Sequence, residues 1–478
     1  MCADDSSRHG SNTWGNLNVF QRVMRQWTDL HPYNAIHVFR FDGRADLDRL
    51  TDSIDRAWRA LDFGTVSLQR HQYRFWHPAE QRPEVEFVSS SEAPTSSPVE
   101  AADKPESSAA STPAEPAANH APAIDAHLSD LLNRRFPAQD YAPIRFSVLQ
   151  EAACHYLCVA YDHWIADGMA LRVLLRPIIR EYCGDPGQPS SDAGGLADLA
   201  NEVSFYPPTY RRAYRKYFST KAKRLSQWWR GILANNVTIL VPSREKNNMH
   251  VQLVSRDLPA ETLQTVLARA KQHGVTVHDL FLAAITRACM PHLPARLVRR
   301  NRRRMGIGSI VDARGLADVD IDRAFGVYLG YFITHARADS ADTLDGLAQV
   351  IAEKTRVIKN NRAYLNTAIG MKIQCWLWPL MPRFARAAFL RNSLPLSAGI
   401  TNTRVTDDWM LALRDASPRR LLGYFRAAPT GPILPISFAP TTMGDALHLG
   451  ITWRPSCFDR ATIDEIAARI EDDLLSPF

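Results

Sequence analysis

The 478 residues contain no GxSxG elbow, no P-loop and no HExxH helix. Serine-hydrolase, phosphate-loop and zincin chemistries therefore have no motif to rest on. Cysteine is scarce and unpatterned: seven residues, an odd number, with no CxxC pair and no Cys/His cluster at zinc spacing. A disulfide framework is not expected, no metal ligand is nominated, and the thiols read as buried residues of a reduced compartment. Long apolar runs are missing too. IQCWLWPLM (373–381) falls far short of the ~20 residues that span a bilayer, and MCADDSSRHGSNTWGN carries no signal-peptide core. The expected location is cytoplasmic, with peripheral contact at the inner membrane kept open. Neither zinc-finger spacing nor an RNP-like strand is present, so nucleic acid is not an expected partner.

What is present divides the chain. Hydrophobic residues make up 45% of it, enough for a large core and two lobes. Net charge is +7, and the excess is local, in YRRAYRKYFSTKAKRLSQWWRG (210–231) and ARLVRRNRRRM (295–305). Such stretches suit an acidic carrier protein, coenzyme A phosphates or an anionic lipid surface; a solvated helix face is the plainer explanation of either alone. Residues 1–13 are polar and expected to be disordered. Residues 89–123, rich in Ser, Ala, Pro, Thr and Glu without one aromatic, are read as a disordered insertion inside the first lobe. The first lobe is placed at 14–240, the connection at VPSREKNNMH (241–250) and the second lobe at 251–478.

Periodicity supplies the elements. AIHVFRFDG alternates as a strand ended by Asp-Gly. Leu47, Leu50, Ile54, Trp58 and Leu61 form a helical stripe. RFSVLQ and HYLCVAYD read as a hairpin, followed by a helix interrupted at Pro177. DLPAETLQTVLARAKQHG is an amphipathic helix with a Gly stop, VTVHDLFLAAITRACM a helix opened near Thr276, and GIGSIVDARG a buried strand. Residues 340–391 look largely helical. Strands and helices mix in both halves, so the class is α+β or α/β.

Between hairpin and helix lies YDHWIADGMAL (161–171). His163 falls in a turn, where a neutral imidazole near its ordinary pKa of ~6.5 can take a proton from an alcohol or amine. Asp167, four residues on, can orient His163 or pair with an Arg and brace the loop. Gly168 permits a backbone geometry, or a close ligand approach, that a Cβ would block. Trp164 and Ile165 would exclude water. The letters HxxxDG alone also fit a buried His bonded to backbone; the position after a strand and before a helix favours the chemical reading. Asp312 and Asp318 read as turn carboxylates, and His155 and His278 as structural.

DHWIADG resembles the HHxxxDG motif of the condensation-domain and coenzyme A-dependent acyltransferase superfamily. This superfamily includes nonribosomal peptide condensation domains, polyketide-associated acyltransferases, wax ester synthases and plant BAHD enzymes. The likeness continues, in family order, through QRVMRQWTDLHPYNAIHVFRFDG, RFSVLQEAACHYLCVAYD, GVTVHDLFLAAITRA, VDARG, FGVYLGYF and AGITNTRV. It implies an α+β, two-lobed, chloramphenicol-acetyltransferase-like fold with the active site in a tunnel between the lobes. His163 matches the catalytic second His. Asp167 and Gly168 match the motif's structural Asp and its Gly, and Arg314 of VDARG is the candidate partner of Asp167. Asp162 stands where many members carry the first His, as BAHD enzymes also lack it; this argues against a standard peptide-forming domain. Asp162, Trp164 and Asn402 are candidate cleft-lining residues, and Trp376 and Trp378 could line an acyl channel, meet a membrane or pack as helix residues.

The implied activity is transfer of an acyl group from a coenzyme A or carrier-protein thioester to a small-molecule hydroxyl or amine, in lipid or natural-product assembly. No permanently bound cofactor is implied. With no adenylation or carrier domain in the chain, the donor is expected in trans. A non-catalytic docking module of the same fold and a membrane-surface, wax-ester-type acyltransferase are the alternatives.

Overall fold

The computed structural model describes residues 15–61, 63–69, 72–76, 84–89, 122–138, 140–184, 237–245, 248–293, 303–316, 325–339, 342–406, 408–414 and 419–476. The expected disorder at 1–13, the bulk of the 89–123 insertion, the basic stretch 210–231, most of 295–305 and Asp318 lie outside these residues.

The first half contains β1 (Gly15–Asn16), α1 (Val19–Thr28), β2 (Asn34–Asp42), α2 (Leu47–Ala60), β3 (Thr65–Gln69), β4 (Gln72–Trp76), β5 (Val85–Ser89), α3 (Pro122–Asn133), β6 (Ile144–Gln150), β7 (Cys154–Asp162) and α4 (Gly168–Cys183). The second half contributes β8 (Gln252–Asp257), β9 (Met305–Asp312), β10 (Leu329–Ala336), β11 (Ala398–Ile400), β12 (Thr403–Val405), β13 (Leu421–Ala427), β14 (Ile436–Met443) and β15 (Ala446–Trp453). Its principal helices span Ala260–His273, Val277–Cys289, Leu344–Asn360, Thr367–Leu377, Arg383–Ser393 and Arg460–Leu475. Class and architecture match the two-lobed α+β expectation.

One sheet has the order β13-β2-β7-β6-β5. Its period-2 pattern serves two cores at once. Phe39, Phe41, Leu157 and Val159 face α2 and α4, packing with Leu50, Ile54, Leu171 and Leu174. Ile36, Val38, Tyr156 and Cys158 face α3, against Ile124, Leu128 and Leu131. Truncating one such fully buried Leu to Ala would cost roughly 2–5 kcal/mol. A second sheet, β10-β9-β11-β14-β15-β8 with β12 beside β14, carries the helices Val277–Cys289, Leu344–Asn360 and Arg460–Leu475 over Ile307, Phe438 and Ile451.

Local chemistry sets the element ends. α1 opens with a reciprocal capping box between Asn18 and Gln21, and Val277–Cys289 with one between Thr276 and Asp279. Ala260–His273 stops at Gly274, whose φ of 63° suits glycine. The halves expected on either side of 241–250 share a sheet. β13, far along the second half, pairs antiparallel with β2 and completes the first sheet, placing Arg426 opposite His37. The halves are thus interleaved, and one strand pairing ties the C-terminal part of the chain to the wall that holds the motif.

Candidate active site

β7 ends at Asp162 and α4 begins at Gly168; the turn between them presents His163. Its backbone N–H donates to Tyr33 O at 3.1 Å. Its ring stacks on the Tyr33 ring, with centroids 5.3 Å apart and planes at 14°, and meets Tyr161 edge-on. Nδ1 lies 3.0 Å from the carbonyl of Ala166. A carbonyl only accepts, so Nδ1 carries the proton and Nε2 carries the lone pair. Among the described residues Nε2 has no hydrogen-bond partner, and His163 lines a cavity of about 150 Å³. Burial pushes its pKa down, reinforced by the Arg426 charge and opposed by the Ala166 carbonyl and Asp167. The ring is therefore neutral at cellular pH.

Asp167 does not touch the imidazole. Its Oδ1 accepts from the backbone of Met169 and Ala170, capping α4, and from Arg314 Nη2 at 2.7 Å. Oδ2 accepts from the Tyr328 N–H at 2.9 Å. Burial would raise this carboxyl's pKa; the Arg314 charge and these donors outweigh it and hold it below the ordinary value. Asp312 takes a further part, binding the Arg314 backbone at 2.9 Å and its guanidinium at 3.3 Å. The spacing of VDARG contained that signal: a carboxylate two residues before an Arg can cap the turn that carries it.

The other nominated residues fare differently. Asp162 and Trp164 do not line the cavity. In strand alternation Asp162 points opposite to Tyr161, and its Oδ2 accepts from Tyr141 Oη (2.7 Å) and Trp164 Nε1 (2.9 Å) inside the core. Burial raises the Asp162 pKa to about 6. Asn402 is also outside the cavity wall; its neighbours Ile400 and Thr401 form part of it. Gly168 lines the cavity without a left-handed backbone, so backbone geometry does not require glycine there. A Cβ would sit 3.5 Å from both Arg426 Nη1 and His37 Nε2, projecting into the space where a ligand would approach. Trp378 is buried, with Nε1 donating to Asp29 at 2.9 Å, whereas Trp376 is 70% exposed. His155 bonds Gly43 O and Tyr182 Oη, and His278 meets Ser309 Oγ, both in structural settings.

The cavity draws on both halves: Phe20, Tyr33 and His37 from the first, Tyr331, Thr401 and Arg426 from the second. A neighbouring cavity of about 500 Å³ shares the walls Leu396 and Ile433. His37 and Arg426 were not foreseen. Arg426 is the one charged residue of LLGYFRA, and His37 breaks the apolar run AIHVF; a polar residue inside a buried strand is the signal the sequence offered.

Known proteins resemble this arrangement. The condensation domain of the monacolin K polyketide synthase MokA superimposes with a TM-score of 0.64 at 13% identity, over 97% of this chain and 96% of its own. The first condensation domain of the CDA synthetase gives 0.63 at 11%, over 97% and 96%. The epimerization domain from the third module of tyrocidine synthetase B gives 0.59 at 14%, over 99% and 98%. No curated protein sequence matches the chain. The family model described as Condensation domain matches residues 21–365, a span that includes His163, Asp167 and Arg314. On that match, which runs through well over half of its length, the chain belongs to the condensation-domain family.

Proposed function

We propose that the protein is an acyltransferase that moves an acyl group from a coenzyme A or carrier-protein thioester to a hydroxyl or amine acceptor, with His163 as general base. The observation that carries this reading is the His163 tautomer: Nδ1–H is spent on Ala166 O, leaving an unprotonated Nε2 at the cavity. In the proposed step Nε2 takes the acceptor proton as the acceptor O or N bonds to the thioester carbonyl carbon. The tetrahedral oxyanion then collapses, the C–S bond breaks, and the proton held on Nε2 passes to the departing thiolate. No covalent enzyme intermediate and no bound cofactor enter the scheme. Asp167 and Arg314 act as positioning residues, holding the turn rather than the proton.

A deletion strain restored with wild type or His163→Ala, compared by untargeted mass spectrometry, tests the proposal. A metabolite pair differing by one acyl group, rescued by wild type alone, names both substrates. Equal rescue by His163→Ala overturns the catalytic role and favours a docking module.

A second reading, transfer at an anionic membrane surface, is favoured by one surface. Ile373, Trp376, Leu380 and Phe384 are exposed at 44%, 70%, 69% and 86%. Lys372, Arg383 and Arg391 lie among them, and no Asp or Glu occurs between Glu353 and Asp407. Exposed apolar tips among Lys372, Arg383 and Arg391, with Asp29 already paired to Arg386, suit an anionic lipid interface. Phe384 also borders the larger cavity, which would let an apolar chain enter from the bilayer. Flotation with phosphatidylglycerol vesicles should show binding that fades as salt rises; binding to phosphatidylcholine alone at equal strength, or none, excludes this setting.

A further inference from the structure

Arg426 has no task in the proposed transfer. It is the one charged residue of β13, 91% removed from solvent, yet it lines the cavity beside His163. Nη2 donates to Thr401 O at 2.7 Å, Nε is buried without a partner, and Nη1 lies 3.5 Å from the position of a Gly168 Cβ. A buried guanidinium stays charged and needs a counter-ion. Among the cavity-lining residues the single carboxylate is Asp167, already engaged by Arg314 and three backbone N–H groups. His37 stands beside Arg426, its Nε2 also 3.5 Å from that Cβ position and its Nδ1 2.8 Å from Tyr424 Oη. With Tyr424 donating to Nδ1, the His37 Nε2–H becomes a second donor toward the same point. The rest of the wall is mainly apolar, with Phe20, Met24, Trp27 and Ile433.

We propose that this cavity binds an amphiphilic monoanion, with a carboxylate against Arg426 and His37 and an apolar body along Phe20, Met24 and Ile433. Assigning that molecule as the acceptor rests on the transfer proposed above: the acceptor would be a hydroxy or amino acid whose carboxylate is free. One guanidinium in so small a space suits a carboxylate better than a phosphate, whose second charge would go unmatched. Burial and the neighbouring Arg172 charge both press on the Arg426 proton, and a bound anion relieves that pressure.

Octanoate and octanamide, nearly equal in size and different in charge, are the probes, with calorimetry as the readout. Wild type should bind octanoate at least about tenfold more tightly than octanamide, Arg426→Gln should lose that preference, and His163→Ala should keep it. Parity in wild type, or a preference that survives in Arg426→Gln, overturns the inference. If Arg426→Gln does not fold, NMR titration of carboxyl-labelled octanoate bound to wild type decides. A carboxyl held by a guanidinium titrates below free octanoate, and an unchanged or raised value overturns the inference. Because these readouts involve no turnover, carboxylate selectivity without acyl transfer would remove the acceptor assignment and leave the anion site standing.

Discussion

Replacing Arg314 by Met, an apolar chain of similar length, strips the Asp167 carboxylate of its counter-ion. The two side chains are 1% and 2% exposed, so water cannot take over. Breaking a buried pair from one side costs about 3–5 kcal/mol, because the remaining charge stays buried. Asp167 keeps its Met169, Ala170 and Tyr328 donors, which places Arg314→Met near the lower figure. Asp167→Asn leaves Arg314 with Asp312, whose side chain is 46% exposed and a weaker partner, and turns an amide N–H toward the Tyr328 N–H or the Arg314 guanidinium. Combining the two changes removes both charges, so the double variant should cost about 2 kcal/mol less than the sum. At about 2 °C per kcal/mol for a large chain, Arg314→Met should lower Tm by ~6 °C in thermal unfolding followed by circular dichroism. The pH dependence has a definite sign. The folded pKa of Asp167 is depressed, so its contribution is present above the ordinary 3.8 and is lost as pH falls through the folded value. The deficit of Arg314→Met should therefore shrink in acid. Additive single changes, or singles costing under ~1 kcal/mol, would refute the keystone role assigned to the pair.

Other outcomes follow from the same geometry. His163→Ala should abolish acyl transfer and leave the melting transition in place, because a half-buried ring at a cavity wall adds little to the core. In wild type, kcat/KM should rise with pH and level off below pH 6.5, since burial depresses the His163 pKa and the base must be unprotonated; a plateau reached only above 6.5 contradicts the assignment. Gly168→Ala should fold normally, with no left-handed φ to strain, while raising KM more than it lowers kcat, because its methyl enters the cavity between His37 and Arg426. Burial lowers the pKa of His31, His278 and His335 from 6.5 to about 4. Neutral in the folded state, they leave stability intact above 6.5 and withdraw it toward 4, about 2 kcal/mol each at pH 5, offset by ~1 kcal/mol from Asp162 taking up a proton. Urea midpoints at pH 7.5 and pH 5 measure this.

Local patterns carried much of this architecture. The β6–β7 hairpin, the helix opened at Thr276 and the helix closed at Gly274 all rest on alternation or capping chemistry, which neighbouring residues determine. The turn at His163 was legible for the same reason. What escaped depends on distant partners. Nothing in LLGYFRA says that it pairs with AIHVFRF, so Arg426 and His37 could be read as buried but not as neighbours. α3 was hidden by composition: Ile124, Leu128 and Leu131 keep helical spacing, yet they adjoin an Ala/Pro/Ser-rich stretch. Asp162 and Trp164 were assigned to the cleft by sequence adjacency to His163, although strand alternation already directs Asp162 the other way.

Asp167 and Arg314 are 147 residues apart, and Asp167 and the Tyr328 amide 161 apart. The carboxylate can cap α4 as soon as that helix forms, but its remaining bonds must wait for the later half of the chain to arrive. Until then Asp167 lacks both the Arg314 charge and the Tyr328 N–H that hold its carboxyl in the folded chain. The first half alone carries every letter of HWIADG and its local bonds, without the Arg314 charge and Tyr328 amide that complete the Asp167 shell. The full set of contacts around this turn is thus completed only when both halves of the chain have come together.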